Sequence, residues 1–233
     1  MRLTCHFLGA AGLACLWTSA AAAAVDLSGE IGVVSDYRYR GISLSRGRPA
    51  VQGTLTLAHD SGLYAEVWAS TLERPGDPTS SEVDFTAGYE KDLSEHFSID
   101  LSGTSFAYPS AGADNYFEAT AIVTTTRGRA SASAGVSYIP RQRATRDEQG
   151  RGHDNSYLFG TAEYGLPRTP VTLKAGLGYE RGAFDEVEHG GKWDWTLGGE
   201  VKLKPAKLGL AYVGSNAGAG DRHALVATLS FAW

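Results

Sequence analysis

The sequence predicts an all-β protein: a transmembrane, antiparallel, up-and-down β-barrel of 12 strands. Three observations predict it. Apolar and polar residues alternate with a period of two almost throughout Val25 to Trp233, and successive strand side chains point to opposite faces, so each segment carries one apolar and one polar face. Short and long connections alternate along the chain, as they do when antiparallel strands put every tight turn at one end of a barrel and every long loop at the other. No run of about 18 apolar residues follows Val25, so the chain offers no membrane helix. Of the 233 residues, 42% are apolar and 20% charged without a block of like charge, which excludes disorder, and the 29 glycines lack the three-residue period of collagen.

Residues 1–24 read as a cleaved signal peptide. Arg2 gives the positive start, Phe7 to Leu16 the short apolar run, and Ala22-Ala23-Ala24 the small-residue cleavage pattern. The barrel then spans 25–233. Its net charge is −6, because only Arg2 leaves the whole-chain balance of −5; a mild acidic excess argues against nucleic acid as a partner. Cys5 and Cys15 depart with the leader, so a hydrogen-bonded framework, not disulfides, must stabilise the mature chain, and no thiolate chemistry is available to it.

The first strand pattern sets Leu27, Gly29, Ile31 and Val33 against Ser28, Glu30 and Gly32, and the second sets Val51, Gly53, Leu55 and Leu57 against Gln52, Thr54 and Thr56. The same reading gives strands over 63–72, 82–91, 97–108, 115–125, 130–140, 155–164, 171–181, 192–203, 207–214 and 222–233. Segments 155–164 and 207–214 carry the weakest signals. The connections after the even strands are compact: Asp60-Ser61-Gly62, Asp92 to His96, Thr126 to Arg129, Gly165 to Pro170 and Lys204 to Ala206. Those at 39–48, 73–81, 141–154 and 182–191 are longer and more polar. An even strand number puts both termini on the periplasmic side. Tyr89, Tyr138, Tyr164, Tyr179, Trp193, Trp195, Tyr212, Phe231 and Trp233 lie mostly toward strand ends, where interfacial girdles form.

In the last strand every odd position from Leu225 is apolar, ending on Leu229, Phe231 and Trp233. Barrel proteins of the bacterial outer membrane resemble this closely, and the resemblance implies recognition of these residues by the barrel-assembly machinery. Closure also has a physical reason, since unpaired N–H and C=O groups find no water in lipid. The opening Ser35-Asp36-Tyr37-Arg38-Tyr39-Arg40-Gly41-Ile42-Ser43, with Pro49 to Gly53, Ala58 to Tyr64, Ser81 to Asp84 and Gly88-Tyr89, resembles the TorF-type porin-like family, small outer-membrane proteins of proteobacteria. That resemblance spans the mature chain and implies an outer-membrane location and a barrel, without naming a permeant.

If the apolar faces meet lipid, the polar faces line a lumen. Its acids are then Glu30, Asp36, Glu66, Glu82, Asp84, Glu90, Asp100, Glu118, Glu163, Glu180, Asp194 and Glu200, against Lys174, Lys192 and Lys202. Such a wall attracts cations in a narrow aqueous passage, and Tyr64, Trp68 and Phe106 are candidates to narrow it. Arginines gather on the long-loop side: Arg38, Arg40, Arg46 and Arg48 in the first loop, and Arg141, Arg143, Arg146 and Arg151 in the fourth. Their planar donor forks suit phosphate and carboxylate, so an external rim could bind lipopolysaccharide. Alternatively, loop arginines fold inward and pair with the lumen acids.

No enzyme is expected. His223 near a serine such as Ser215 is the best hydrolytic pair, but no nucleophile elbow surrounds either. No two histidines stand at ligand spacing on one strand, and Gly214 to Gly220 lacks the Lys and helix of a phosphate loop. The reading is therefore a passive channel of the bacterial outer membrane for small hydrophilic solutes, with no cofactor or metal. Its partners are outer-membrane lipid and lipopolysaccharide, and the assembly machinery. The alternative is a plugged barrel whose arginine rim binds an envelope partner.

Overall fold

A computed structural model describes residues 25–73, 80–110, 115–187, 190–217 and 222–233; the expected leader, 1–24, and parts of the second, third, fifth and sixth long loops lie outside them. Among the described residues there are fourteen strands. Twelve close into one antiparallel barrel: β1 (Val25–Val34), β4 (Ala50–His59), β5 (Leu63–Thr71), β6 (Ser81–Asp92), β7 (Phe97–Ala107), β8 (Tyr116–Arg127), β9 (Ala130–Ile139), β10 (Asn155–Gly165), β11 (Val171–Gly182), β12 (Lys192–Leu203), β13 (Ala206–Ser215) and β14 (His223–Ala232). Two short strands, β2 (Arg38–Tyr39) and β3 (Ile42–Ser43), form a separate hairpin in the first long loop.

Closure is made by β1, which pairs with β4 along its whole length and with β14 in the register Ile31↔Phe231 and Val33↔Leu229. Trp233 caps this seam: its backbone exchanges hydrogen bonds of 3.1 and 3.2 Å with Gly29, and its ring lies so close over Gly29 that a Cβ there would collide with it. Every barrel strand thus has a hydrogen-bonded neighbour on each side, which is the condition for a sheet to sit in hydrocarbon.

The alternation decides which face is which. Leu27, Ile31, Leu55, Val67, Phe85, Leu101, Val123, Val136, Leu158, Leu177, Leu197, Leu210 and Leu225 are all exposed on the outer wall. A continuous apolar belt of this kind on a closed sheet marks a membrane-spanning barrel. Tyr138, Tyr164, Trp193, Tyr212 and Phe231 are exposed with it. The inner wall instead carries hydroxyl ladders across neighbouring strands, Thr86 to Thr104 at 2.9 Å, Thr120 to Ser137 at 2.8 Å and Thr124 to Ser133 at 2.9 Å.

The weak alternation of 155–164 has a structural cause. In β10 the inward positions include Tyr157 and Phe159, stacked at 5.3 Å, so both faces of that strand are apolar. Each ring occupies space left by a glycine on a neighbouring strand: a Cβ at Gly178 would strike Tyr157, and one at Gly135 would strike Phe159. The apolar core of the molecule lies at the long-loop end of the lumen, where Val34, Ala50, Trp68, Phe106, Tyr116, Ile139, Val213 and Val226 surround Tyr37.

Candidate functional site

The first long loop does not stay outside the barrel. Its β2–β3 hairpin turns through Arg40 and Gly41, both at positive φ (47° and 80°), the two-residue geometry of a type I′ turn. Asp36 organises the base: its carboxylate accepts bonds from Arg38 Nε at 2.5 Å, Ser43 Oγ at 2.5 Å and Gly47 N at 3.1 Å. Tyr37 N donates to Ser45 Oγ at 2.8 Å, and Leu44 N to the Tyr37 carbonyl at 2.7 Å. Folded this way, the loop places Tyr37, Tyr39 and Arg40 into the lumen.

Three sets of contacts hold it there. The Tyr37 hydroxyl donates to Glu82 Oε2 at 2.9 Å, while Tyr108 donates to the other oxygen at 2.8 Å. Burial, and then the Glu82 charge, push the Tyr37 phenol well above its ordinary range, which keeps it a donor. Aromatic packing follows: Tyr37 on Trp68 at 5.3 Å, Tyr39 edge-on to Phe106 at 5.9 Å, and Phe106 stacked on Tyr116 at 4.4 Å. At the tip, Arg40 bridges β8 and β11, with Nη2 to Glu118 Oε2 at 2.5 Å and Nη1 to Glu180 Oε1 at 2.6 Å. Its guanidinium lies over the Tyr157 ring, 4.1 Å from the centroid.

The lumen acids fall into two groups. Along β10 to β13 and β1 all but Asp194 are paired: Glu200 with Lys174 at 3.1 Å, Glu163 with Lys174 at 3.7 Å, Glu180 with Lys192, and Glu30 with Lys207. On β5 to β7, by contrast, Glu66, Asp84 and Asp100 are buried and form no ion pair among the described residues; Glu66 accepts from Thr56 at 2.9 Å. Below the hairpin lies a cavity of about 270 Å³ bordered by Arg40, Tyr64, Glu66, Glu118, Lys174 and Asp194. Glu90 is half-buried near the short-turn end of β6, and Lys202 comes within 4.0 Å of Glu200.

Two expectations are corrected by these positions. Arg38 and Arg40, expected on the external rim, have side chains only 3% and 6% exposed and lie inside the barrel, because Asp36, Glu118 and Glu180 supply buried partners that solvent does not. Asp36, expected to line a pore, borders the cavity but spends its carboxylate on the loop it organises. Lys207 is a lumen base that the sequence reading left out, although its place two residues before Gly209 on the inward face of β13 gave the signal. Arg46, Arg48, Arg141, Arg143, Arg146 and Arg151 are exposed at the long-loop end. Arg48 pairs with Glu73 at 2.8 Å, and Arg151 with Asp147 at 2.8 Å. His153 adds a 3.0 Å bond that, with Arg151, holds the Asp147 carboxyl well below its usual range. The suggested Ser215–His223 pair does not assemble: Ser215 is buried and donates to the Ala217 carbonyl, whereas His223 is exposed and packs on Tyr212.

Comparison with known structures follows the same lines. The KdgM porin superposes with a TM-score of 0.61 at 10% identity, covering 88% of this chain and 98% of its own. The NanC porin gives 0.57 at 11% identity, over 89% of this chain and 98% of that one. The COG4313 outer membrane channel from Pseudomonas putida F1 gives 0.53 at 11% identity, over 91% and 96%. The fold is therefore that of outer-membrane porins and channels. No curated protein sequence matches the chain. A family described as "Bacterial protein of unknown function (Gcw_chp)" matches residues 18–227. The chain belongs to this Gcw_chp family.

Proposed function

We propose that the protein is a passive outer-membrane channel for small hydrophilic solutes, held closed in this conformation by the β2–β3 hairpin. The observation that carries the reading is the polar cavity beneath the hairpin, enclosed by a barrel whose outer wall is apolar. A sheet filled only for stability has no use for buried, unpaired acids such as Glu66, Asp84 and Asp100; an aqueous pathway does. In this reading the inward acids other than Asp36 line the pathway, the short-turn end and both termini face the periplasm, and the long loops face outward. The porin folds it matches support the reading, and one of them, KdgM, is described in complex with disordered oligogalacturonate. The likeness to the TorF-type proteins points the same way. Leu229, Phe231 and Trp233 serve as the assembly signal for the barrel-assembly machinery, after removal of residues 1–24.

Current through residues 25–233 refolded into a planar bilayer tests this. Discrete steps that become longer when the hairpin is loosened support it, and folded, inserted barrels without current under either condition overturn it. The hairpin also favours a second reading, in which the barrel is plugged for good and the exposed Arg46, Arg48, Arg141, Arg143, Arg146 and Arg151 bind lipopolysaccharide phosphates.

A further inference from the structure

The place where Arg40 sits is a guanidinium receptor built by four strands. Glu118 from β8 and Glu180 from β11 each accept one guanidinium nitrogen, Tyr157 from β10 offers its ring face, and Asp194 from β12 completes the pocket. Asp194 carries the independent sign of a ligand. It is 92% buried, its Oδ1 accepts the Tyr157 hydroxyl at 3.0 Å, and its Oδ2 has no hydrogen-bond partner although the side chain borders the cavity. Three carboxylates thus face two cations, Arg40 and Lys192, with one carboxylate oxygen left open. Nor is Arg40 placed there by its backbone. The left-handed conformation at φ 47° is one that asparagine or glycine adopts readily and arginine does not, so the turn is kept in a disfavoured residue for the sake of its head group.

We infer that the lumen binds guanidinium-bearing organic cations, and that Arg40 is a tethered occupant of their site which such a cation displaces from Glu118 and Glu180. This rests on the channel reading only for its consequence: if the barrel conducts, these cations are its preferred solutes. The site borders the cavity beneath the hairpin, so a soluble guanidinium that enters this cavity meets it. Displacement removes one of the three sets of contacts that hold the hairpin, so binding and opening are coupled through the same carboxylates.

Arg40→Gly empties the pocket while suiting the turn. Calorimetric titration of the refolded variant with methylguanidinium should give saturable binding, about tenfold or more weaker in Arg40→Gly/Glu118→Gln, and weaker also in the unaltered protein, where Arg40 competes for the site. Equal binding by the single and double variants, or none by either, overturns the inference. Should the single variant fail to fold, hydrogen exchange in the unaltered protein decides: methylguanidinium must speed exchange of the Arg38–Ser43 amides more than tetramethylammonium at the same ionic strength, and equal effects overturn it. Planar-bilayer currents separate the two readings. Binding without current supports the receptor and removes the channel; current that methylguanidinium does not block, together with no calorimetric binding, keeps the channel and removes the receptor.

Discussion

Tyr37→Phe isolates one strut of the plug. The substitution keeps the ring that packs on Trp68 at 5.3 Å and deletes only the hydroxyl that donates to Glu82 at 2.9 Å. A buried hydrogen bond to a charged acceptor contributes about 1.5–3 kcal/mol. Tyr108 still donates to Glu82, so the carboxylate keeps a partner and the lower half of that range is the better figure. A loss of about 1.5–2 kcal/mol raises the population of the undocked hairpin roughly ten- to thirtyfold. Hydrogen exchange read by mass spectrometry on the peptide spanning 37–45 measures that population, provided reclosing is faster than exchange. Its amides should exchange faster by that factor, while those of β8 and β11 keep their protection. Unchanged exchange in 37–45 would show that the Tyr37–Glu82 bond does not hold the hairpin, and uniformly faster exchange would show that the barrel itself, and not the plug, was weakened.

Three further outcomes follow from the same geometry. Gly178→Ala places a methyl group against Tyr157 and should tilt that ring from Asp194 and Arg40; a loss of about 1–3 kcal/mol is expected, seen as a lower temperature for the heat-modifiable gel shift, and an unaltered temperature would contradict the packing. Lys174→Met leaves Glu200 and Glu163 without their shared cation and should cost as much as about 3–5 kcal/mol in urea unfolding, largely restored by Lys174→Arg. Asp147 has a folded pKa below its unfolded value, so its contribution is complete above the ordinary carboxylate range and disappears as pH falls through the lowered value; exchange of the Thr145–Gly152 amides should therefore stay slow down to about pH 4 and rise only below it, and an onset well above that pH would contradict a role for the Asp147 carboxylate.

The barrel was legible because lipid imposes a rule on every strand. Predicted segments such as 82–91 and 97–108 match Ser81–Asp92 and Phe97–Ala107 to within a residue, since one side of each must be apolar and the other must not. Inside the lumen that rule no longer applies. Polarity cannot separate a loop in solvent from one folded into a polar interior, so residues 39–48 read as a long polar loop whose arginines stay on the rim or fold inward. Its turn gave no warning either, because Arg40-Gly41 lacks the Asn or Gly that usually marks a type I′ hairpin at its first position. The charged residues on the inner wall were visible one strand at a time, yet which of them meet depends on contacts across the barrel. Arg40 reaches Glu118 and Glu180, 78 and 140 residues away, and no local pattern encodes either distance. The inward pair Tyr157 and Phe159 blurred the alternation of β10 for a related reason: the glycines that admit them, Gly178 and Gly135, lie on neighbouring strands.

The decisive measurement is single-channel current under a salt gradient, recorded side by side for residues 25–233 and for the Tyr37→Phe variant in planar bilayers. A hairpin that plugs a cation-attracting lumen predicts rare, brief openings in the first and longer ones in the second, with a reversal potential on the cation side set by the acidic excess of the inner wall. Folded, inserted barrels that pass no current in either form would contradict a channel, and equal open times in the two would contradict the hairpin as its gate.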